Sequence, residues 1–120
     1  MRRILHGDAG TLAAMHQLGR NTVDLVVTSP PYNVGKGYDV HDDEMTPREY
    51  QAMLSRVFLN AWTALKPGGR MAVNIVEAAG RSPAVPVGNI VQTQMLLLVG
   101  ALYRGAIVWN KGAAAGASTA

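Results

Sequence analysis

The run Val23-Asp24-Leu25-Val26-Val27-Thr28 stops at Ser29-Pro30-Pro31-Tyr32, and that stop constrains the fold more than any other feature of the chain. The run is apolar and β-branched rather than alternating, which predicts a strand covered on both faces, as in a parallel sheet. Proline has no backbone N–H and disfavours helix in the residue before it, so Ser29 and Pro30 must both be extended while the ladder ends. Their carbonyl oxygens then face outward without strand partners. Together with the Ser29 hydroxyl they form a set of acceptors on a stiff backbone, at the carboxyl end of a parallel strand, where open α/β sheets bind ligands. The matching guest is an amine with two N–H donors. Tyr32 can lay its ring against a flat partner, and stacking a base on such a ring is worth ~1–3 kcal/mol. Acceptors for an exocyclic amino group beside a stacking ring suit a nucleobase turned out of its helix.

The rest of the chain alternates strand and helix signals. Ile4-Leu5 before Gly7-Asp8 predicts a short strand, and Leu12, Met15 and Leu18 are spaced as in a helix. Residues 35–44 are polar, bear glycine and end acidic, which predicts a surface loop. Thr46-Pro47-Arg48-Glu49 is a capping box with proline at the first helical position. The helix it opens carries Tyr50, Met53, Leu54, Val57, Phe58, Ala61, Trp62 and Leu65 on one face, so Trp62 is expected in the core. Lys66-Pro67-Gly68-Gly69 should end that helix and Arg70 to Val76 return as a strand. Within that strand Asn74 would be a buried amide in need of partners. A third helix is expected between Val87 and Leu102, then a strand from Ala106 to Trp109. This order favours a doubly wound α/β sheet.

At 120 residues, 48% of them hydrophobic, the chain has material for one core. A net charge of +3 leans toward an acidic partner such as nucleic acid, although the basic residues form no run. The absence of cysteine excludes disulfides, thiolate metal sites and a cysteine nucleophile. No apolar stretch of signal-peptide length follows Arg2-Arg3, and the run Met95–Val99 is far too short to span a bilayer, so the expectation is a cytoplasmic protein without membrane contact. His6, His16 and His41 lack metal-ligand spacing, and no metal is assigned.

Thr28-Ser29-Pro30-Pro31-Tyr32-Asn33 resembles the catalytic motif of the DNA amino-methyltransferases, which methylate N4 of cytosine or N6 of adenine. "VDLVVTSPPYNVGKGYD" before a capped helix, "LKPGGRMAVNI", "GRSPAVPV" and "YRGAIVWNKG" resemble the family's successive segments, so the likeness covers essentially the whole chain. The resemblance implies a partial Rossmann-like methyltransferase fold, mainly a parallel sheet with flanking helices, using S-adenosylmethionine on DNA. It implies catalytic roles for Ser29, Pro30, Pro31 and Tyr32, and places Asp8, Thr28 and Ser29 toward the cofactor. Asn33, Lys36, Tyr38, Trp109 and Lys111 would face the substrate. The Ser29 hydroxyl and Pro30 carbonyl would hold the two amine hydrogens, so that the lone pair can aim at the sulfonium methyl without a covalent enzyme intermediate. Serine in the first motif position leans toward cytosine-N4, with adenine-N6 the alternative.

Other readings of these residues stay open. Asp8 also fits a helix N-cap for residues 9–18. Asp24 is expected to cap or solvate its strand, and Lys36, Tyr38 and Asp39 suit a solvated loop. Arg81 and Arg104 fit phosphate contacts or plain surface positions, and Trp109 fits packing against a helix. The phenylalanine-x-glycine-x-glycine cofactor turn of the family does not occur, and Ala106 stands where relatives often carry an acid. In the branch the chain resembles, the catalytic half comes first. Residues 1–112 would thus be the catalytic part, and 113–120 a tail or the start of a target-recognition region. A second chain or self-association would complete the sheet, since a truncated one exposes apolar edge and face. The alternatives are an inactive fragment or binding module that keeps the motif, and a methyltransferase acting on another amide or amine, such as a protein glutamine or an RNA base.

Overall fold

The computed structural model describes residues 2–32, 45–78, 85–110 and 112. Among the described residues three helices and two strands alternate: α1 (Leu12–Leu18), β1 (Val23–Thr28), α2 (Pro47–Ala64), β2 (Leu65–Val73) and α3 (Val87–Val99). The strands are parallel neighbours. Between β1 and β2 the chain passes through α2, the crossover that parallel pairing requires. The fold is thus a small α/β unit with a parallel sheet and flanking helices.

The helix boundaries follow local chemistry. Thr46 Oγ1 accepts the Glu49 N–H at 3.2 Å while Glu49 Oε2 accepts the Thr46 N–H at 2.8 Å, so the capping box is complete at the start of α2. Thr11, rather than Asp8, caps α1: its side chain accepts the Ala14 N–H. Asp8 acts one step earlier. Its Oδ1 accepts the Gly10 N–H at 2.8 Å, and its carbonyl accepts from both the Thr11 N–H and the Thr11 hydroxyl. Gly100, in the left-handed region at φ 66°, closes α3.

Lys66-Pro67-Gly68-Gly69 does end α2, but it lies inside β2 as an irregularity. Val23 pairs with Leu65 and Leu25 with Arg70, so four residues of β2 bulge opposite one of β1. Gly68 takes φ +81°, and a Cβ on Gly69 would stand 2.8 Å from the Lys66 carbonyl oxygen and 3.2 Å from that of Asp24. Regular pairing resumes through Thr28 and Val73.

The core lies between α2, α3 and one face of the sheet. Tyr50, Leu54 and Phe58 from α2 meet Val87, Val91 and Met95 from α3, with Met71 and Val73 of β2 packed against them. On α2 the buried residues recur every four, the stripe its sequence announces. Trp62 is the exception: it is 37% exposed, because Ala64 and Leu65 rather than Trp62 close the lower end of the stripe.

Several other expectations are corrected. Ile4-Leu5 forms no strand, and Ile4 is 95% exposed. Residues 106–109 form no strand, and Ile107 is fully exposed. A short apolar run gains strand geometry only from a neighbour that supplies ladder bonds, and neither run has one among the described residues. For the same reason β1 is covered on one face only: Leu25 and Val27 are exposed, so the doubly wound arrangement does not occur among the described residues. Asn74 is exposed rather than buried, and its backbone N–H donates to the Thr28 carbonyl. Asp24 pairs with Lys66 at 3.0 Å.

Candidate functional site

The last rung of the sheet is the Asn74 N–H to Thr28 carbonyl bond, 2.8 Å long. Beyond it the chain leaves the ladder as the two prolines require. Ser29 is exposed, while Pro30, Pro31 and Tyr32 are half-buried. The acceptors of this turn divide into two kinds. The Pro31 carbonyl receives the hydroxyl of Tyr50 at 2.6 Å, from a side chain only 4% exposed in the first turn of α2. The Ser29 hydroxyl and the Pro30 carbonyl engage no hydrogen-bond partner among the described residues. One oxygen is thus committed to the scaffold, and two acceptors carry no partner among the described residues.

The fold explains why this happens at Pro31. In a β-α-β crossover the helix starts on the side where the first strand ends, so the first turn of α2 returns beside the carboxyl end of β1. Tyr50 heads the buried stripe of α2, and its ring enters the core while its hydroxyl must find an acceptor. The nearest strand end supplies one. Sequence reading placed Tyr50 on the apolar face and missed this bond; the signal was there in a phenol at a position that an aliphatic residue would otherwise fill.

The other expected site residues are spread out. Asp8 is carried by the segment before α1, which is held against the middle of α2: the Asn60 side-chain amide donates to the carbonyls of Ala9 and Thr11 at 2.8 and 2.9 Å. From Tyr50 to Asn60 the helix rises ~15 Å. Thr28 and Ser29 are neighbours at the strand end, whereas Asp8 belongs to the segment held against the middle of α2. Trp109 is exposed and ends no strand. Asn33, Lys36, Tyr38, Asp39, Arg81 and Lys111 lie outside the described residues. Among the described residues no group of three His, Cys, Asp or Glu side chains is placed to hold a metal ion. No helix among them is long and apolar enough to cross a membrane.

The family model described as DNA methylase, that of the N6/N4 enzymes, matches residues 23–120. The chain belongs to this DNA methylase family. It is similar to the Type II methyltransferase M.MjaVI of Methanocaldococcus jannaschii, 39% identical over 95 residues that cover 78% of this chain and 48% of the relative. It is also similar to the Type II methyltransferase M.ScaI of Streptomyces caespitosus, 28% identical over 112 residues, 92% of this chain and 34% of the relative. A shorter match, 45% identical over 38 residues, joins 32% of the chain to 12% of the DNA adenine methyltransferase YhdJ of Escherichia coli. The chain spans about half the length, or less, of these curated relatives. The matched family residues begin at Val23, the first residue of β1, so β1, the proline turn, α2, β2 and α3 all lie within the methylase region.

Proposed function

We propose that this chain carries the amine-holding turn of an S-adenosylmethionine-dependent DNA methyltransferase that acts on N4 of cytosine, with Ser29, Pro30, Pro31 and Tyr32 as its catalytic residues. The observation that carries the reading is the division of acceptors at the end of β1: the Pro31 carbonyl is occupied by Tyr50, whereas the Ser29 hydroxyl and Pro30 carbonyl have no partner among the described residues. An exocyclic amine has two N–H bonds to give. Its nitrogen is a poor nucleophile while the lone pair is delocalised into the base ring, and accepting both hydrogens lets that nitrogen pyramidalise. S-Adenosylmethionine supplies the electrophilic methyl group when bound. The chain's part is positioning and oriented dipoles, which suffice for an in-line displacement. The Pro30 carbonyl and Ser29 hydroxyl hold the N–H bonds, and the Tyr32 ring stacks on the base to keep it out of the duplex. The N–CH3 bond would form as the S–CH3 bond of the donor breaks and leaves a neutral thioether, and the cationic nitrogen would lose one of the protons held by these acceptors to solvent.

Thr28 and Ser29 are the cofactor-side residues at this strand end, and Asp8, on the segment that Asn60 holds, would serve the cofactor from beside α2. DNA is the substrate that family membership supports, and the Type II relatives support a place in restriction–modification. Adenine N6 is the second reading, favoured by the likeness of a 38-residue stretch to an enzyme named an adenine methyltransferase.

The test is substitution at the turn. Ser29→Ala and Tyr32→Ala are each expected to abolish methyl transfer to duplex DNA while leaving S-adenosylmethionine affinity, measured by calorimetry, within a few-fold of the parent. Full transfer by either variant would remove the assignment of the pocket.

A further inference from the structure

We propose that Tyr50 is a positioning residue for the reaction, acting through the Pro31 carbonyl to set the direction of the Pro31–Tyr32 peptide and with it the Tyr32 ring. The inference rests on the reading of residues 29–32 as the amine-holding turn and names the group that keeps it in shape. The turn lies past the last ladder bond, and its prolines have no N–H with which to anchor it to the sheet. Pro31 is held from the other side, by a phenol 2.6 Å away. That phenol is itself fixed. Tyr50 is 4% exposed, its N–H donates to the Thr46 carbonyl at 2.9 Å, and its ring packs in the cluster with Leu54 and Phe58.

The core thus reaches this turn through the Tyr50 side chain. Within the turn, the Pro31 carbonyl belongs to the peptide next to the one that carries the Pro30 carbonyl. Rotating the Pro31 carbonyl away from Tyr50 swings the Pro31–Tyr32 peptide and with it the Tyr32 ring. A misplacement of ~1 Å at a reacting centre costs up to about 100-fold in rate. A packing role and a positioning role for Tyr50 therefore differ in what Tyr50→Phe does. Phenylalanine fills the same volume, so packing alone predicts no change, whereas loss of the hydroxyl releases the turn.

Pro31-Tyr32 is the one Pro-Tyr pair in the sequence, so labelling proline carbonyl carbon and tyrosine nitrogen together gives a single carbonyl–amide correlation by NMR, reporting Pro31 alone. That signal is expected to move upfield in Tyr50→Phe as the carbonyl loses its donor. In the methyl-transfer assay the same variant is expected to lose about 10–100-fold in kcat with KM for S-adenosylmethionine unchanged. Should Tyr50→Phe unfold, 3-fluorotyrosine at position 50 keeps the ring and strengthens the phenol as a donor, and it must then shift the Pro31 signal. An unmoved Pro31 signal overturns the bond, and a moved signal with parental kcat overturns the positioning role. Ser29→Ala, measured alongside, separates the two readings. Retained transfer in Ser29→Ala overturns the turn itself as the catalytic segment, while an inactive Ser29→Ala beside a fully active Tyr50→Phe overturns the role of Tyr50 alone.

Discussion

Replacing Phe58 with alanine should take a large share of the stability of this chain, because Phe58 is where α2, α3 and the sheet are joined. It is 0% exposed and among the largest fully buried side chains, flanked on its own helix by Leu54 and facing Val87, Val91 and Met95 of α3. Burying an aromatic ring removes ~150–250 Å² from water. At ~25 cal/mol per Å² that is about 4–6 kcal/mol. Alanine recovers part of it, which gives a loss of about 3–5 kcal/mol, the upper value if the six-residue cluster cannot collapse around the void. A chain of 120 residues has a total stability on the order of 6–18 kcal/mol. Urea unfolding followed by circular dichroism measures the change as a shift in midpoint at constant slope. Leu59 is the internal control: it is the next residue on the same helix but 43% exposed, and Leu59→Ala should cost no more than about 1 kcal/mol. If the two variants unfold within 1 kcal/mol of each other, the core is not where it is drawn here.

Thr46→Ala removes the reciprocal bonds with Glu49 at the start of α2 and should cost about 1 kcal/mol in the same urea experiment; a neutral result would mean the capping box does not form. Gly69→Ala should destabilise by about 1–3 kcal/mol, since two of the three atoms nearest the new methyl are backbone oxygens that cannot yield without disturbing the β1–β2 pairing. A Gly69→Ala protein of parental stability would refute the bulge geometry.

The parts of the fold legible in the sequence are those decided locally. The boundaries of β1 follow from a β-branched run met by prolines, and α2 from a capping box and a stripe of unbroken spacing. The helix expected between Val87 and Leu102 is α3, ended by Gly100. What sequence could not supply was the presence of a neighbour. Ile4-Leu5 and residues 106–109 look like strands, but strand geometry is completed by another chain segment, and neither has a ladder partner among the described residues. Asn74 was misjudged for a related reason: its strand continues the sheet by one backbone bond while its side chain faces out. At the site, the end of the ladder ahead of the proline pair was legible from proline chemistry alone. The Tyr50–Pro31 bond was not, because it joins residues nineteen apart and depends on where the crossover returns α2.

The most direct test of the central claim is the identity of the methylated nucleoside. The protein is incubated with unmethylated DNA and S-adenosylmethionine carrying a labelled methyl group, and the DNA is digested to nucleosides and resolved by mass spectrometry. The account predicts N4-methylcytidine in its deoxy form; N6-methyldeoxyadenosine would keep the amine chemistry and reverse the choice of base. Label in 5-methyldeoxycytidine, or none in DNA, would contradict the account.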